Sequence, residues 1–370
     1  MAKHSTPPFR ADHVGSLLRP AALKDVRRRH AEGALDAAGL AAVEDREIER
    51  VVAKQQELGL RGITDGELRR SWWHLDFLLG LDGIAEHQAD FGTGFVGATP
   101  RTAGVRIDGK IGFSGHAMLE HYRFLHERAR RGVAKLTIPS PSALLGRPVL
   151  PPIDARIYPS RAELYADLGE AYRAAVRAFA AAGCRYLQLD EVFIAMLCDS
   201  KYREKMVARG DDPDALLHLY ARLINTAIAD APADMTVTLH LCRGNFKSTY
   251  MGAGGYESVE DALFNEIDVD GYFMEYDDAR SGGFEPLRLL PKGKRVALGV
   301  VTTKRGALES KDDLKRRIDA AAKHVDVGQL CLAPQCGFAS TEEGNVLTED
   351  EQWAKLERIV SVADEIWGQR

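Results

Sequence analysis

The side chains richest in chemistry are His240, Cys242, Glu275 and Cys336. They supply one imidazole, two thiols and one carboxylate, each at or just past the end of an apolar run. Thiolates and imidazoles are preferred ligands of zinc, which takes four donors in a tetrahedron. In extended backbone His240 and Cys242 point the same way, because strand side chains alternate with period two. The same H-x-C also describes a packed histidine beside a buried cysteine. Spacing cannot say whether Glu275 and Cys336, distant along the chain, join the pair. Polar groups crowd the ends of other runs too: Asp12-His13-Val14-Gly15-Ser16, Asp65-Gly66-Glu67 and Asp190-Glu191.

Such groups meet only if the runs carrying them end on one face. The runs at 10–15, 62–65, 135–139, 185–190, 235–240, 271–275, 295–300 and 329–334 read as strands, several of them continuously apolar as buried parallel strands are. Helical patterns separate them. S/T-x-x-E/D capping boxes mark helix starts at Ser160 with Glu163, Ser258 with Asp261, Ser310 with Asp313 and Thr348 with Glu351, and Gly59 and Gly183 stand where helix C-caps belong. Eight βα units, with no G-x-G-x-x-G after the first strand, predict an α/β fold of the TIM (β/α)8 barrel type rather than a doubly wound sheet. Catalytic groups of such barrels gather at the C-terminal strand ends. Residues 1–370 are expected to form a single catalytic barrel domain. An excursion at about 80–115, with 101–113 as a hairpin, and a turn-rich stretch at 277–286 supply inserted loops covering the C-terminal face.

Composition narrows the function. Of 370 residues 45% are hydrophobic and 28% charged, which fits a globular chain and excludes a disordered or fibrous one. Acidic residues exceed Lys plus Arg by 54 to 49, so the chain lacks the charge of a nucleic-acid binder, and the run Arg27-Arg28-Arg29-His30 reads as a solvated helix face. No 18 consecutive apolar residues occur and the first residues carry no apolar leader, so no membrane is expected and the cytoplasm is the expected compartment. Five scattered cysteines suit free thiols or metal ligands better than a disulfide framework. Cys184, Cys198 and Cys331 read as non-catalytic.

The strings RADHVGSLLRP, ITDGELRRSWW, YLQLDE, LHLCRGN, FMEY and APQCGF, in that order from about Phe9 onward, resemble the cobalamin-independent methionine synthase family. They are most similar to its short single-domain members, related to the catalytic C-terminal half. The resemblance implies a TIM-barrel methyltransferase of methionine biosynthesis. Its Zn2+ binds and activates the sulfur of homocysteine, and the methyl comes from 5-methyltetrahydrofolate. Carried over by position, the metal ligands are His240, Cys242, Glu275 and Cys336, and Gly15, Ser16, Glu67 and Asp190 hold the amino-acid part of homocysteine. A backbone N–H and a hydroxyl can bond a carboxylate, and two carboxylates can accept from an ammonium. The plain structural use of Glu67 and Asp190 is a salt bridge with Arg69 or Arg185.

Methyl transfer from a tertiary amine needs an acid. The long synthases carry a histidine in the loop after the seventh strand, whereas this chain reads GVVTTKRGALES and offers Lys304, with His13 as the alternative catalytic acid. Trp72 and Trp73, with Arg69, Arg70 and Lys110, could hold a pterin and an anionic tail, or the tryptophans could simply pack. The partners implied are small molecules, homocysteine and methyl-folate, and a homodimer or a monomer would both suit this sequence. Two other functions fit the residues: zinc-dependent alkyl transfer to another thiol, or from a corrinoid or other donor delivered by an accessory protein, and a non-catalytic zinc- or thiol-binding barrel. Two cysteine ligands argue against a hydrolytic zinc site.

Overall fold

The structure is a computed structural model and describes residues 6–88, 95, 103–147 and 151–368. Its strands are β1 (Gly62–Ile63), β2 (Asp82–Gln88), β3 (Ala103–Gly112), β4 (Val133–Ala134), β5 (Leu136–Pro139), β6 (Tyr186–Glu191), β7 (Thr236–Leu241), β8 (Gly271–Glu275), β9 (Arg295–Val301) and β10 (Leu330–Pro334). Six of them form one parallel sheet in the order β10-β9-β8-β7-β6-β5. On one side β4, which leads into β5, pairs in parallel with β1. On the other, Ala11 bridges Leu332 of β10 in parallel. Between Ala11 and β1 the ring is tied by Thr64 Oγ1 donating to Gly15 O at 2.7 Å and Leu17 N donating to Gly66 O at 2.9 Å. This is the expected TIM barrel.

The sequence expects a strand at 10–15, and the structure has only the one bridge there. Asp12 accounts for the difference: its carboxylate accepts from the backbone of Phe9 and His13, and Lys135 Nζ takes His13 O at 2.5 Å. Side chains thus satisfy backbone groups that a ladder would otherwise use. Inside the ring, Val14, Phe273, Ala297, Cys331 and Ala333 form a small apolar cluster separate from the main core. Phe273, Ala297 and Cys331 stand opposite one another in register.

The main core lies between strands and outer helices. The helix Arg161–Ala181 shows why it packs there: Leu164, Leu168, Ala171, Tyr172, Ala175, Val176 and Phe179 fall on one buried stripe. Ser160, Ser310 and Thr348 cap helices as read from sequence, and Thr348 with Glu351 forms the full reciprocal box. Ser258 does not. It lies in a 3-10 turn, and the following helix Glu260–Asn265 starts after Val259. Gly59 and Gly183 take the left-handed backbone (φ 88° and 97°) that ends a helix.

The excursion also differs from its expectation. Its described part does not fold back on itself within 103–113; β3 is a single strand antiparallel to β2, and Arg101 lies outside the described residues. The longer pairing buries Val105 and Ile111 against the core, and Tyr158 Oη accepts the Ile111 N–H at 2.7 Å. No helix among the described residues is long and apolar enough to cross a membrane.

Candidate metal centre and substrate pocket

Parallel register brings the metal-type residues together. His240 stands on β7 between Asp190 of β6 and Phe273 of β8, and Glu275 is the last residue of β8. Cys242 and Cys336 follow just beyond β7 and β10. All four are buried, and one ligand atom from each lies within 4.8 Å of all the others. The two Sγ atoms are 3.5 Å apart and His240 Nε2 is 3.4 Å from Cys336 Sγ. A tetrahedral ion with Zn–S near 2.3 Å sets two sulfurs about 3.8 Å apart, so this donor set fits zinc in type and spacing.

The surroundings hold these donors in place. Glu275 accepts from Arg243 N at 2.8 Å through one oxygen and from Arg280 Nη2 at 3.0 Å through the other, while Tyr256 Oη bonds both its N–H and its carbonyl. Such outer partners orient metal ligands. Asn245 and Thr303 both donate to Gly337 O, pinning the turn that carries Cys336.

Burial and nearby charges act in opposite directions on the cluster. Burial pushes Glu275 up, against the charge of Lys304. Within the thiol pair, a bond from Cys242 and the nearby His240 and Lys304 lower Cys336 well below an ordinary thiol. Burial alone does the opposite at Cys184 and Cys331, raising each to about 12. Lys304 Nζ is buried without a hydrogen-bond acceptor, 3.6 Å from Asp277 Oδ2.

A second group of residues adjoins the cluster. Ser16 accepts the Phe338 N–H on its carbonyl (2.9 Å) and the Ala339 N–H on Oγ (3.3 Å), so it packs against the Cys336 turn. Gly15 has φ 149°, and a Cβ there would stand 2.6 Å from Glu67 Oε1. Only glycine allows that approach. Glu67 takes a positive φ of 55° without being glycine, a strained choice typical of functional turns, and Asp65 Oδ1 holds its N–H at 2.7 Å. Burial pushes Asp190 up to about 7, opposed by His240 and then reinforced by Glu67; Gln188 bonds its Oδ1 at 2.7 Å.

Neither proposed salt bridge forms. Glu67 pairs with Arg70 instead of Arg69, which binds Glu44 and Asp45, and Arg185 pairs with Asp234. His13 is fully buried with Nε2 3.1 Å from Gly62 O, and burial, aided by Lys135, lowers it to about 4. It is neutral near pH 7 and poorly suited to act as an acid.

The remaining candidates divide. Trp73, Arg69 and Arg70 line one cavity of about 210 Å3 together with Glu67, Asp76, His121 and Thr137. Trp72 is buried instead, stacked on Phe246 at 6.3 Å. Lys110 is exposed on β3, paired with Glu163 and Asp167, and lies off the cavity lining.

Arg19, Asp277 and Arg280 were not singled out from the sequence. Buried Arg19 donates to the carbonyls of Leu17, Glu67, Arg70 and Ala339, joining the turns after three strands. The Arg19 bonds to Glu67, Arg70 and Ala339 span 48 to 320 residues and leave no local signal. Asn245 was visible only as part of LHLCRGN.

Residues 9–365 match the family model for the cobalamin-independent synthase catalytic domain. The uncharacterized protein YxjH of Bacillus subtilis (strain 168) is 47% identical over 367 residues, spanning 99% of this chain and 96% of that protein. A crystal structure from Listeria monocytogenes, provisionally named a vitamin-B12-independent methionine synthase, superposes with a TM-score of 0.78 at 38% identity, covering 98% of this chain and 99% of its own. The B12-independent methionine synthase of Shewanella sp. W3-18-1, in complex with selenomethionine, shares the fold with a TM-score of 0.69 at 20% identity over 96% of each chain.

Proposed function

This chain belongs to the cobalamin-independent synthase catalytic-domain family, and we propose that it is a cytoplasmic zinc-dependent S-methyltransferase converting homocysteine to methionine with 5-methyltetrahydrofolate as donor. The observation supporting this reading is the four-donor cluster standing beside Ser16: Cys336 belongs to the cluster, and Ser16 packs on Phe338 and Ala339 of the turn that follows it. When bound, zinc supplies the Lewis acidity that strips the proton from a thiol whose free pKa is near ~8.5.

This chain's own residues do the rest. Glu67 and Asp190 accept from the substrate ammonium, and the Ser16 hydroxyl with nearby backbone N–H groups takes the carboxylate. Their fixed positions turn an encounter into an oriented approach. Lys304, whose buried ammonium lacks an acceptor, holds the proton that the departing amine nitrogen requires. Trp73 offers a ring face to the donor in the cavity that Glu67 also lines.

One observation favours a second reading of the donor. Arg69, Arg70 and Lys135, the cations lining the cavity, already have acidic partners. A donor without a long anionic tail fits that charge pattern, including a methyl group carried by a corrinoid protein.

The test pairs metal analysis with proton release on adding homocysteine to the native protein and to Cys336→Ser. Stoichiometric zinc and release of a proton, both lost in the variant, are expected. A zinc-free native protein, or zinc indifferent to the thiol, would overturn the reading. A bound thiol that no donor methylates would return the chain to a thiol-binding role.

A further inference from the structure

The two thiols of the metal centre draw their hydrogen bonds from different sources. The sulfur of Cys242 takes the backbone N–H of Gly244, two residues along its own turn. The sulfur of Cys336 has three polar neighbours: Cys242 Sγ at 3.5 Å, His240 Nε2 at 3.4 Å and Ser340 Oγ at 3.8 Å. The first two are themselves metal-type donor atoms. His240 Nδ1 faces Phe273 O at 3.4 Å, so the ring hydrogen belongs there and Nε2 is left for a metal. A ligating thiolate carries no hydrogen either. Once the four side chains share one ion, neither Cys242 nor His240 can donate to Cys336. Of its three neighbours only the Ser340 hydroxyl still can.

The direction of the Ser340 bond follows from its other partner. Asn245 Nδ2 lies 2.7 Å from Gly337 O and 3.1 Å from Ser340 Oγ. A carbonyl only accepts, so the Asn245 group facing Gly337 is its NH2, and the second hydrogen goes to Ser340 Oγ. A hydroxyl that accepts from Asn245 keeps its own hydrogen for Cys336 Sγ, at a distance suited to a weak O–H···S bond because sulfur is larger than oxygen. The backbone of Ser340 is held as well. Its carbonyl accepts from Trp73 N at 2.9 Å and from Arg70 Nη1 at 2.7 Å, Trp72 bridges Thr341, and Glu342 N donates to Ser71 O at 2.8 Å. This short antiparallel pairing joins the segments that follow β1 and β10, and it fixes the backbone from which the hydroxyl reaches the sulfur.

We propose that Ser340 is a positioning residue of the metal centre, whose hydroxyl, oriented by Asn245, donates to the metal-bound sulfur of Cys336. This role presupposes the zinc reading above and deepens it. Cys242, Cys336 and Glu275 bring three negative charges to one divalent ion. A hydrogen bond to one sulfur draws electron density from it, so the ion keeps more of its own charge with which to polarise an incoming thiol.

The experiment places cobalt(II) where zinc would bind, because its sulfur-to-metal charge-transfer band reports the electron density on the thiolates. Native protein, Ser340→Ala, Ser340→Thr and Ser340→Val are each titrated with cobalt(II), and zinc affinity is measured by competition with a chelator. Losing the hydroxyl raises the energy of the sulfur lone pairs. The band of Ser340→Ala should therefore move to longer wavelength, and zinc should bind roughly three- to tenfold more weakly, the scale of one hydrogen bond. Ser340→Thr keeps the hydroxyl and should match native protein in both readings. Ser340→Val has the shape of threonine without the hydroxyl and should follow Ser340→Ala; the Thr–Val pair separates the bond from packing and carries the test alone if the alanine variant does not fold. A band unmoved by loss of the hydroxyl, or moved as far in Ser340→Thr as in Ser340→Val, would overturn the proposal. Native protein that gives no charge-transfer band with cobalt would overturn the metal centre itself, a distinct result that removes the role of Ser340 with it.

Discussion

The two sides of the barrel mouth are built differently. His240, Cys242, Glu275 and Cys336 stand at the ends of β7, β8 and β10, where parallel hydrogen bonding fixes one Cα against the next. Gly15, Ser16, Glu67 and Arg70 sit in the turns after the Ala11 bridge and after β1, where little regular pairing exists. There the backbone is held by side chains, with Arg19 alone bonding four carbonyls. The strand-end side can hold four donor atoms within 4.8 Å because register leaves them little freedom. The turn side presents buried charges on backbone that side chains hold, so its side chains can be exchanged with less disturbance to the strands.

The sharpest way to break this contrast is a pair of substitutions, one on each side. Cys242→Ser removes a thiolate from the cluster and should lower zinc affinity by at least about a thousandfold, read by competition with a chromophoric chelator. Glu67→Gln should leave zinc affinity within about threefold and weaken homocysteine roughly ten- to a hundredfold. If Glu67→Gln also released the metal, the two sides would be one unit and the contrast would fail.

A smaller effect tests the floor beneath the turn side. Burial lowers His13 to about 4 from its ordinary 6.5. The unfolded chain then takes up a proton near pH 6.5 that the folded chain refuses, so stability falls as pH drops from about 6.5 toward 4. This term reaches up to roughly 3 kcal/mol and is absent above pH 6.5. Urea unfolding of metal-stripped protein at pH 7 and 4.5 should show the loss, and His13→Gln should shrink it; an unchanged acid limb would mean that His13 is solvated.

The smallest expected effect lies away from the mouth. Thr348→Ala breaks the capping box of the helix Glu349–Trp367 and should cost about 1 kcal/mol in urea unfolding. Zinc content and thiol affinity should stay unchanged. A shift in either would show that the outer helices tune the site.

Much of this was legible beforehand, for local reasons. Apolar runs bounded by turn residues located most barrel strands to within a residue or two, and short-range caps at Ser160, Ser310 and Thr348 located helix starts. Ser258 misled because a capping pattern does not reveal a 3-10 turn, and the hairpin expected at 101–113 gives way, in its described part, to pairing of β3 with β2. Lys110 is expected with Arg69 and Trp73 in the loops over the barrel mouth, but β3 carries it to Glu163 and Asp167.

The sequence by itself determined the alternation of strands and helices, the residue types able to bind a metal, and the charges able to hold an amino acid, because periodicity and side-chain chemistry are local properties. Only the tertiary structure decided that His240, Cys242, Glu275 and Cys336 converge, that Arg70 and not Arg69 meets Glu67, and that His13 is sealed in between strands. Those outcomes depend on register around a ring of parallel strands and on bonds between turns far apart in the chain. Each is set by the packing of the whole barrel, which no single segment encodes.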